Sequence, residues 1–400
     1  MRFDDHTDET TRIKIMTDGI LLQELKADPL LSRYSIIMVD EAHERSLNID
    51  FILGLLKNIL EVRDDFKVII SSATINAEVF STYFNGCPIV HIETQMYPVQ
   101  VIYDEPRTGD SDALIDKITD IVVRTVRRGA GGDVLVFLSG ERQIKDCLAS
   151  LEASPVSKKL FLLPLYGRLS KEEQDRVFVP TPDGKTKVVV STNIAETSVT
   201  IDGITTVIDS GLAKLNYYNP RTYTSSLIEG PISKASCNQR KGRAGRTQPG
   251  TCYRLYSKKD FENRQLFTTE EIYRTDLSEV VLRMSELGIT DFENFHFISP
   301  PGKQGIIGAI ETLELLQAID ENRELTEIGT MMVQFPLIPR HSRILVEAIR
   351  RYPDVLEEAL IGTAFLSTNT PFTLPPGEEI EARHAHHQFS DPAGDFQSYL

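Results

Sequence analysis

Four short stretches of this sequence place acidic, hydroxyl or basic side chains where ligand chemistry is done. Asp40-Glu41-Ala42-His43 follows directly on the apolar run Ile36 to Val39. Two adjacent carboxylates at the carboxyl end of a parallel strand suit Mg²⁺ coordination and polarisation of a water. The same pair also serves as a helix N-cap. Ser71-Ser72-Ala73-Thr74 follows the run Val68 to Ile70, and these small hydroxyl residues either face a ligand or cap a helix over 76–80. Ser191-Thr192-Asn193-Ile194-Ala195-Glu196-Thr197 leaves a third run, 187–190. Hydroxyl and amide groups there, followed by a helix N-terminus, make a phosphate-binding arrangement. The fourth stretch is Gln239-Arg240-Lys241-Gly242-Arg243-Ala244-Gly245-Arg246. Arg243 and Arg246 stand one helical turn apart, with glycines that let a ligand approach. Paired guanidiniums with a Gln suit a triphosphate whose γ-group is leaving, and stabilising that charge is worth about 10³ to 10⁵ in rate. A solvated basic helix face is the other reading.

The elements that must hold these residues are legible from periodicity. Ile13 to Met16, Ile36 to Val39, Val68 to Ile70, Val134 to Leu138, Val188 to Val190 and Thr206 to Ile208 read as buried strands. Amphipathic stretches 48–60, 113–128 and 143–151 alternate with them, which predicts parallel sheets with helices on both faces. Breaks fall near Tyr97-Pro98, before an extended VQVIYDEP segment, and near Lys258-Lys259-Asp260. Beyond the second break the pattern is helical, with stripes Leu277, Val281, Met284, Leu287 (stopped by Gly288) and Ile306, Ile310, Leu313, Leu316. The first strand has no strand-loop-helix unit ahead of it, and DFQSYL stops inside an amphipathic segment, so both ends read as cut.

Taken together, DEAH at 40–43, SAT at 72–74, TNIAETSVTIDG at 192–203 and QRKGRAGR at 239–246 resemble, in order and spacing, the DEAH-box RNA helicases. TDG at 17–19, LSG at 138–140 and LYGRLS at 165–170 are similar to further motifs of that family, and the text after 250 looks closest to its bacterial branch. The resemblance implies an α/β fold: the C-terminal part of a first RecA-like domain (1–98), a second RecA-like domain (99–258), a winged helix (259–327) and the start of a helical ratchet domain (328–400). It implies ATP and Mg²⁺ as cofactors, with Asp40 and Glu41 holding the metal and activating water, and His43 coupling them to Ser72 and Thr74. Gln239, Arg243 and Arg246 would reach the γ-phosphate, Thr200 and Asp202 would contact the nucleotide, and Phe178 would stack on the base unless it is an ordinary core residue. RNA contacts would come from Thr17, Ser139, Gly140, Thr192 and Asn193, groups suited to tracking sugar and phosphate rather than reading bases. A hairpin is expected over 214–223, its YYNPRTY aromatics serving packing more than base stacking.

The phosphate-cradling G-x-x-x-x-G-K-[ST] loop of such an enzyme does not occur in these 400 residues. Gly184-Lys185-Thr186 has Val179 where the first glycine belongs and leads into a strand, and Gly129-Ala130-Gly131-Gly132 likewise reads as a loop. The chain is therefore expected to be a fragment that does not turn over ATP alone. The alternative is a non-catalytic RNA-binding or scaffold remnant, and a DNA rather than RNA helicase is a weaker third reading.

Charge and composition bound the function further. Forty-three Lys plus Arg against 58 Asp plus Glu give a net charge of -15, which excludes a polycation that holds nucleic acid by overall charge. The basic residues must act locally, and 230–259 holds Lys234, Arg240, Lys241, Arg243, Arg246, Arg254, Lys258 and Lys259 and no acidic residue. Four scattered cysteines without Cys-x-x-Cys predict free thiols and a cytoplasmic protein. No apolar run of about 18 residues predicts a membrane span, and the N-terminus lacks a signal-peptide pattern. His384, His386 and His387 with Glu381 lack metal-ligand spacing and read as solvated helix residues, as Asp4, Asp5, His6 and Asp8 read as a polar loop. A monomer is expected, with RNA and a protein activator as partners.

Overall fold

The computed structural model describes residues 7–8, 10–73, 77–92, 97–129, 131–196, 200–219, 222, 224–368, 370, 372, 374 and 378–400. They form two compact units, Met1–Ile89 with Glu270–Leu400, and Val90–Thr269.

In the first unit, strand β1 (Ile36–Val39) pairs in parallel with β2 (Lys67–Ile70). The connection is helix Leu47–Val62, opened by Ser46, whose Oγ accepts the Ile49 N–H at 3.2 Å. Phe51, Leu53, Leu56 and Ile59 of that helix share one core with Val280, Met284, Phe292, Ile306 and Leu313. The two stripes read from the sequence are helices Ser278–Glu286 and Lys303–Leu315. Gly288 ends the first at φ +73°, a left-handed C-terminal turn closed by Ile289 N–H on Met284 O at 2.9 Å. Helices Pro339–Arg351 and Leu356–Ser367 follow.

Two expectations fail in this unit. Ile13 to Met16 is not a strand, and Ile13 and Ile15 are exposed. No described strand pairs with it in a ladder. Strands β1 and β2 are also not buried throughout. Ile37 and Val39 face the core, whereas Ile36, Met38 and Ile69 are exposed, because helices cover one face of this two-stranded sheet among the described residues.

The second unit is built on a six-stranded parallel sheet. Its strands are β3 (Val99–Tyr103), β4 (Asp133–Phe137), β5 (Leu160–Leu165), β6 (Thr186–Ser191), β7 (Ile204–Asp209) and, after a hairpin of β8 (Leu212–Asn219) with β9 (Thr224–Pro231), β10 (Gly250–Arg254). The order is β3-β10-β7-β4-β6-β5. The central strands β4, β6 and β7 are buried on both faces, as the apolar runs of β4 and β6 suggest, and β7 buries Thr205 and Thr206 as well. One face packs on helices Ser111–Arg128 and Glu141–Glu152, close to the spans expected for them. Strands β5 and β10 were not evident in the sequence. Pro164 argues against a strand, yet β5 lies at the sheet edge, where a missing N–H is tolerated. The sequence of β10, Gly-Thr-Cys-Tyr-Arg, has neither alternation nor an apolar run. The observed hairpin is longer than expected, and neither Tyr217 nor Tyr218 joins a core cluster.

Cys147, Cys237 and Cys252 are buried and Cys87 is half-buried, all as free thiols. Burial pushes the Cys147 thiol up to about 12. No helix among the described residues is long and apolar enough to cross a membrane.

Gly250 opens β10 where the chain passes closest to the Arg243–Gly245 turn, and a Cβ there would meet Ala244 O at 2.2 Å and Thr205 O at 2.6 Å. Backbone atoms cannot swing aside as side chains do. Gly250→Ala should destabilise the chain by about 1–3 kcal/mol in urea denaturation. Gly230→Ala, with nothing within 4 Å, should leave the midpoint unchanged or slightly raised.

Candidate functional site

The acidic turn of the first unit is held in an unusual conformation. Glu41 (φ 51°) and Arg45 (φ 48°) flank the 3-10 turn Ala42–Glu44, both in the left-handed region that costs a non-glycine residue about 1–3 kcal/mol. Three sets of contacts keep it there. Ala42 N–H donates to Ser71 O at 3.0 Å. His43 Nδ1 lies 3.3 Å from both the Ala73 N–H and Glu41 Oε2, so the DEAH and SAT segments share one ring nitrogen. The buried Arg45 grips Asp50 (Nε to Oδ1, 2.6 Å) and Ser299 Oγ (2.7 Å). Burial raises the Asp50 pKa, against the pull of Arg45. Neither Asp40 nor Glu41 caps a helix through its side chain. Asp40 Oδ1 takes the Glu41 N–H at 3.0 Å, and the Asp40 residue is exposed. Ser72 is half-buried beside them, and Thr74 lies outside the described residues. Thr17 precedes helix Asp18–Ala27 as an exposed N-cap that makes no side-chain capping bond.

In the second unit the expected site residues separate onto opposite rims of the sheet. At the amino ends of the strands stand Thr200, Asp202, Arg246 and Phe178. Arg246 donates to Thr200 Oγ1. Asp202 is exposed one residue before Gly203, whose carbonyl receives the first N–H of β4, from Asp133, at 2.8 Å. Phe178, on the 3-10 turn Arg176–Phe178, is 56% exposed and so is not a core residue, whereas its neighbour Val177 is buried. At the carboxyl ends stand Ser139, Gly140, Thr192 and Asn193. Gly140 is the N-cap of helix Glu141–Glu152 with no side-chain capping bond, and Asn193 is exposed. Uncapped amides at a helix start are donors available to an anion. The α-helix expected after Asn193 is instead a single 3-10 turn, Asn193–Ala195, with residues 197–199 outside the described set.

A polar cavity of ≈ 380 Å³ opens at this carboxyl rim, lined by Ser139, Gly140, Arg142, Gln143, Lys214 and Glu229 among others. Ser139 Oγ donates to Gln143 Oε1 at 2.8 Å and contacts Glu229. Glu229 stands directly across the hairpin from Lys214, and Lys214 Nζ comes within 3.1 Å of where a Cβ on residue 140 would be.

Helix Lys234–Gly242 and the turn after it connect the two rims. Its carboxyl-rim contacts are Asn238 Oδ1 with Arg254 at the end of β10 (3.1 Å) and Arg240 with Asp209 at the end of β7 (2.8 Å). Its amino-rim contacts are Gly245 O with Tyr97 N–H (3.0 Å) and the close approach of Ala244 to Gly250. Arg240 is fully buried. It donates to Asp209 Oδ1 and, at 3.0 Å, to Glu196 Oε2, and it stacks 4.7 Å from the Phe137 ring centroid. Burial disfavours its charge, but Asp209 and Glu196 more than reverse this and raise its pKa. Tyr256 completes Asp209 with a 2.8 Å bond to Oδ2. Arg243 is buried as well, its Nε 3.0 Å from the Glu196 carbonyl oxygen, while Arg246 is exposed and Gln239 half-buried.

The basic stretch is thus not one solvated face, since Arg240, Arg243 and Arg254 are buried in internal bonds. Glu196, Asp209 and Tyr256 were not anticipated as part of the site. Asp209 had a readable signal, an acid directly after the apolar pair Val207-Ile208, close to the pattern that drew attention to Asp40. On α-helix Glu379–His387, His384 and His387 are exposed and His386 meets the Phe372 ring edge-on at 5.0 Å.

Removing Arg240 leaves two carboxylates buried without their cation. Arg240→Met should cost about 3–5 kcal/mol in urea unfolding. Arg142→Met, whose side chain is 95% exposed and 3.9 Å from Asp146, should change the midpoint little.

Comparison with known proteins bears on these arrangements. The helicase conserved C-terminal domain matches residues 112–248, the winged-helix helicase-associated domain (HA2) residues 309–337, and the ratchet-like HA2 domain residues 338–399. The chain is 54% identical to the ATP-dependent RNA helicase HrpA of Borreliella burgdorferi, aligning over 100% of itself and 49% of that protein. To the ATP-dependent RNA helicase HrpA of Escherichia coli it is 42% identical, over 100% of itself and 31% of the relative. The crystal structure of the E. coli DExH-box NTPase HrpB superposes with a TM-score of 0.81 at 30% identity, over 100% of this chain and 48% of that one. The chain spans about half or less of the length of each of these relatives. With its ordered motifs, its RecA-like parallel sheet and its helical HA2 region, the chain belongs to the DEAH-box RNA helicase family, on the bacterial branch.

Proposed function

We propose that this chain is the part of an ATP-driven RNA translocase that grips the RNA strand and responds to the nucleotide. The observation that carries this reading is the division of the second unit into two polar rims joined by one helix. Arg246, Thr200, Asp202 and Phe178 would meet the nucleotide at the amino rim. Ser139, Gly140, Thr192 and Asn193 would meet the RNA sugar-phosphate backbone at the carboxyl rim; in the first unit, Thr17 would meet RNA as well. Because helix 234–242 and the turn 243–245 that continues it together contact both rims, a shift at the phosphates would be felt where the strand is held. We read RecA-like segments 1–98 and 99–258, a winged helix 259–327 and a ratchet region 328–400; the matches at 112–248, 309–337 and 338–399 favour the last three in this order, with the winged helix reaching 337, and the first rests on its DEAH and SAT motifs.

The carboxylates fit the metal this chemistry needs. Asp40 and Glu41 offer hard oxygen donors, and Asp40 is exposed with one oxygen already oriented by the Glu41 amide. They would hold Mg²⁺, which would neutralise charge on the phosphates. Glu41 would accept a proton from the attacking water, and His43 would tie that carboxylate to the Ser72 segment. Gln239, Arg243 and Arg246 would stabilise charge on the leaving γ-phosphate. Arg243 would first have to exchange its bond to the Glu196 carbonyl. The free cysteines suit a reducing compartment, the cytoplasm.

These 400 residues contain no phosphate-cradling glycine loop. A phosphate-release assay with poly(U) should therefore show no RNA-stimulated turnover by this chain alone, and robust turnover would overturn that expectation. Fluorescence anisotropy should show binding to labelled oligouridylate and to mixed-sequence RNA within about threefold of each other, weakening with salt. A strong preference for one base composition would contradict backbone tracking.

A further inference from the structure

Beneath Phe178 lies a buried cation that the reading above does not use. Lys187, the second residue of β6, is 3% exposed. Its ammonium donates to the carbonyls of Val177 (3.0 Å) and Val179 (2.6 Å), the residues on either side of Phe178. Burying an ammonium costs several kcal/mol unless it is well bonded, and an apolar side chain of the same length would fill the space without that cost. What the ammonium adds is two directed bonds that fix the backbone on both sides of an exposed aromatic ring.

Asp133 extends the same brace. Its Oδ1 accepts the Lys187 N–H at 2.8 Å, and its Oδ2 accepts Thr181 Oγ1 at 2.7 Å. Its own N–H donates to Gly203 O at 2.8 Å, and Oδ2 lies 3.2 Å from where a Cβ on Gly203 would be. Loop 177–181 is thereby tied to the segment that carries Asp202. We propose that Lys187 is a positioning residue that holds the Phe178 ring at a set place relative to Asp202, so that a purine base can stack on a ring already ordered. Asp133 links the two halves of that site. This rests on the reading of Phe178 as a base platform. A ring whose backbone is fixed before the base arrives loses less conformational freedom on binding.

The chain contains no tryptophan, so Phe178→Trp introduces a reporter with no background. In the full chain, Phe178→Trp is compared with the same variant carrying Lys187→Met, Lys187→Arg or Thr181→Val, with circular dichroism to establish folding. Without ligand, Lys187→Met should lower the tryptophan anisotropy and increase its quenching by acrylamide. Lys187→Arg, which keeps donors for the carbonyls, should restore part of the difference. Thr181→Val should loosen the ring to a lesser degree, and it carries the test if Lys187→Met does not fold. With ligand, ATP should quench the tryptophan and a base-free ribose triphosphate should not, and Lys187→Met should weaken the ATP effect about tenfold. Unchanged anisotropy and unchanged ATP response in a folded Lys187→Met variant would overturn the role of Lys187. Absence of ATP quenching where Lys187 is intact, with the ligand-free loosening still present, would overturn the base-platform reading instead.

Discussion

The second unit depends on a buried charge triad, Asp209–Arg240–Glu196, which Tyr256 extends by a hydrogen bond to Asp209. Asp209 and Arg240 are both fully buried, and either charge buried without the other would cost several kcal/mol. Asp209 is fixed by the end of β7 and by Tyr256, Arg240 by helix 234–242, and Glu196 by the turn after β6. The triad therefore does more than neutralise charge, since it sets where the helix crosses the sheet. It also fixes the Glu196 carbonyl that receives Arg243.

That arrangement gives physical content to coupling between the rims. Ligands of parallel α/β sheets usually bind at the carboxyl ends of the strands, where Ser139, Gly140, Thr192 and Asn193 stand. Here the amino ends are also polar, carrying Arg246, Thr200, Asp202 and the exposed Phe178. The first unit shows a comparable economy. Glu41 and Arg45 are held in left-handed conformations by contacts to the SAT segment and to Asp50 and Ser299, so the acidic turn is shaped by residues far from it in sequence.

Much of this was legible in the sequence, and the exceptions have definite causes. Strands β4, β6 and β7 are buried on both faces and were found through their apolar segments Val134–Phe137, Val188–Val190 and Val207-Ile208. Strand β5 was hidden by Pro164, which only an edge position tolerates, and β10 by a composition without period. Ile13 to Met16 reads as a strand by composition but pairs with no described strand. Motif spacing pointed to Arg243 and Arg246 as a pair, but not to their different settings, one buried on a carbonyl and the other exposed. Lys187 and Asp133 were silent because a lysine beginning a strand and an aspartate before an apolar run are ordinary in sequence. Only burial and bonding partners distinguish them. The basic stretch around Arg240 showed the reverse error, since its charge count suggested a surface and its geometry places three arginines inside.

The central claim is that the second unit carries two separate binding rims. Hydrogen-deuterium exchange of the full chain, read by mass spectrometry with oligouridylate and with ATP separately, tests it most directly. The account predicts that RNA slows exchange in peptides covering 139–145 and 192–196, and that ATP slows it in peptides covering 176–181 and 200–204. Protection of the same peptides by both ligands, or protection of the amino rim by RNA alone, would contradict it.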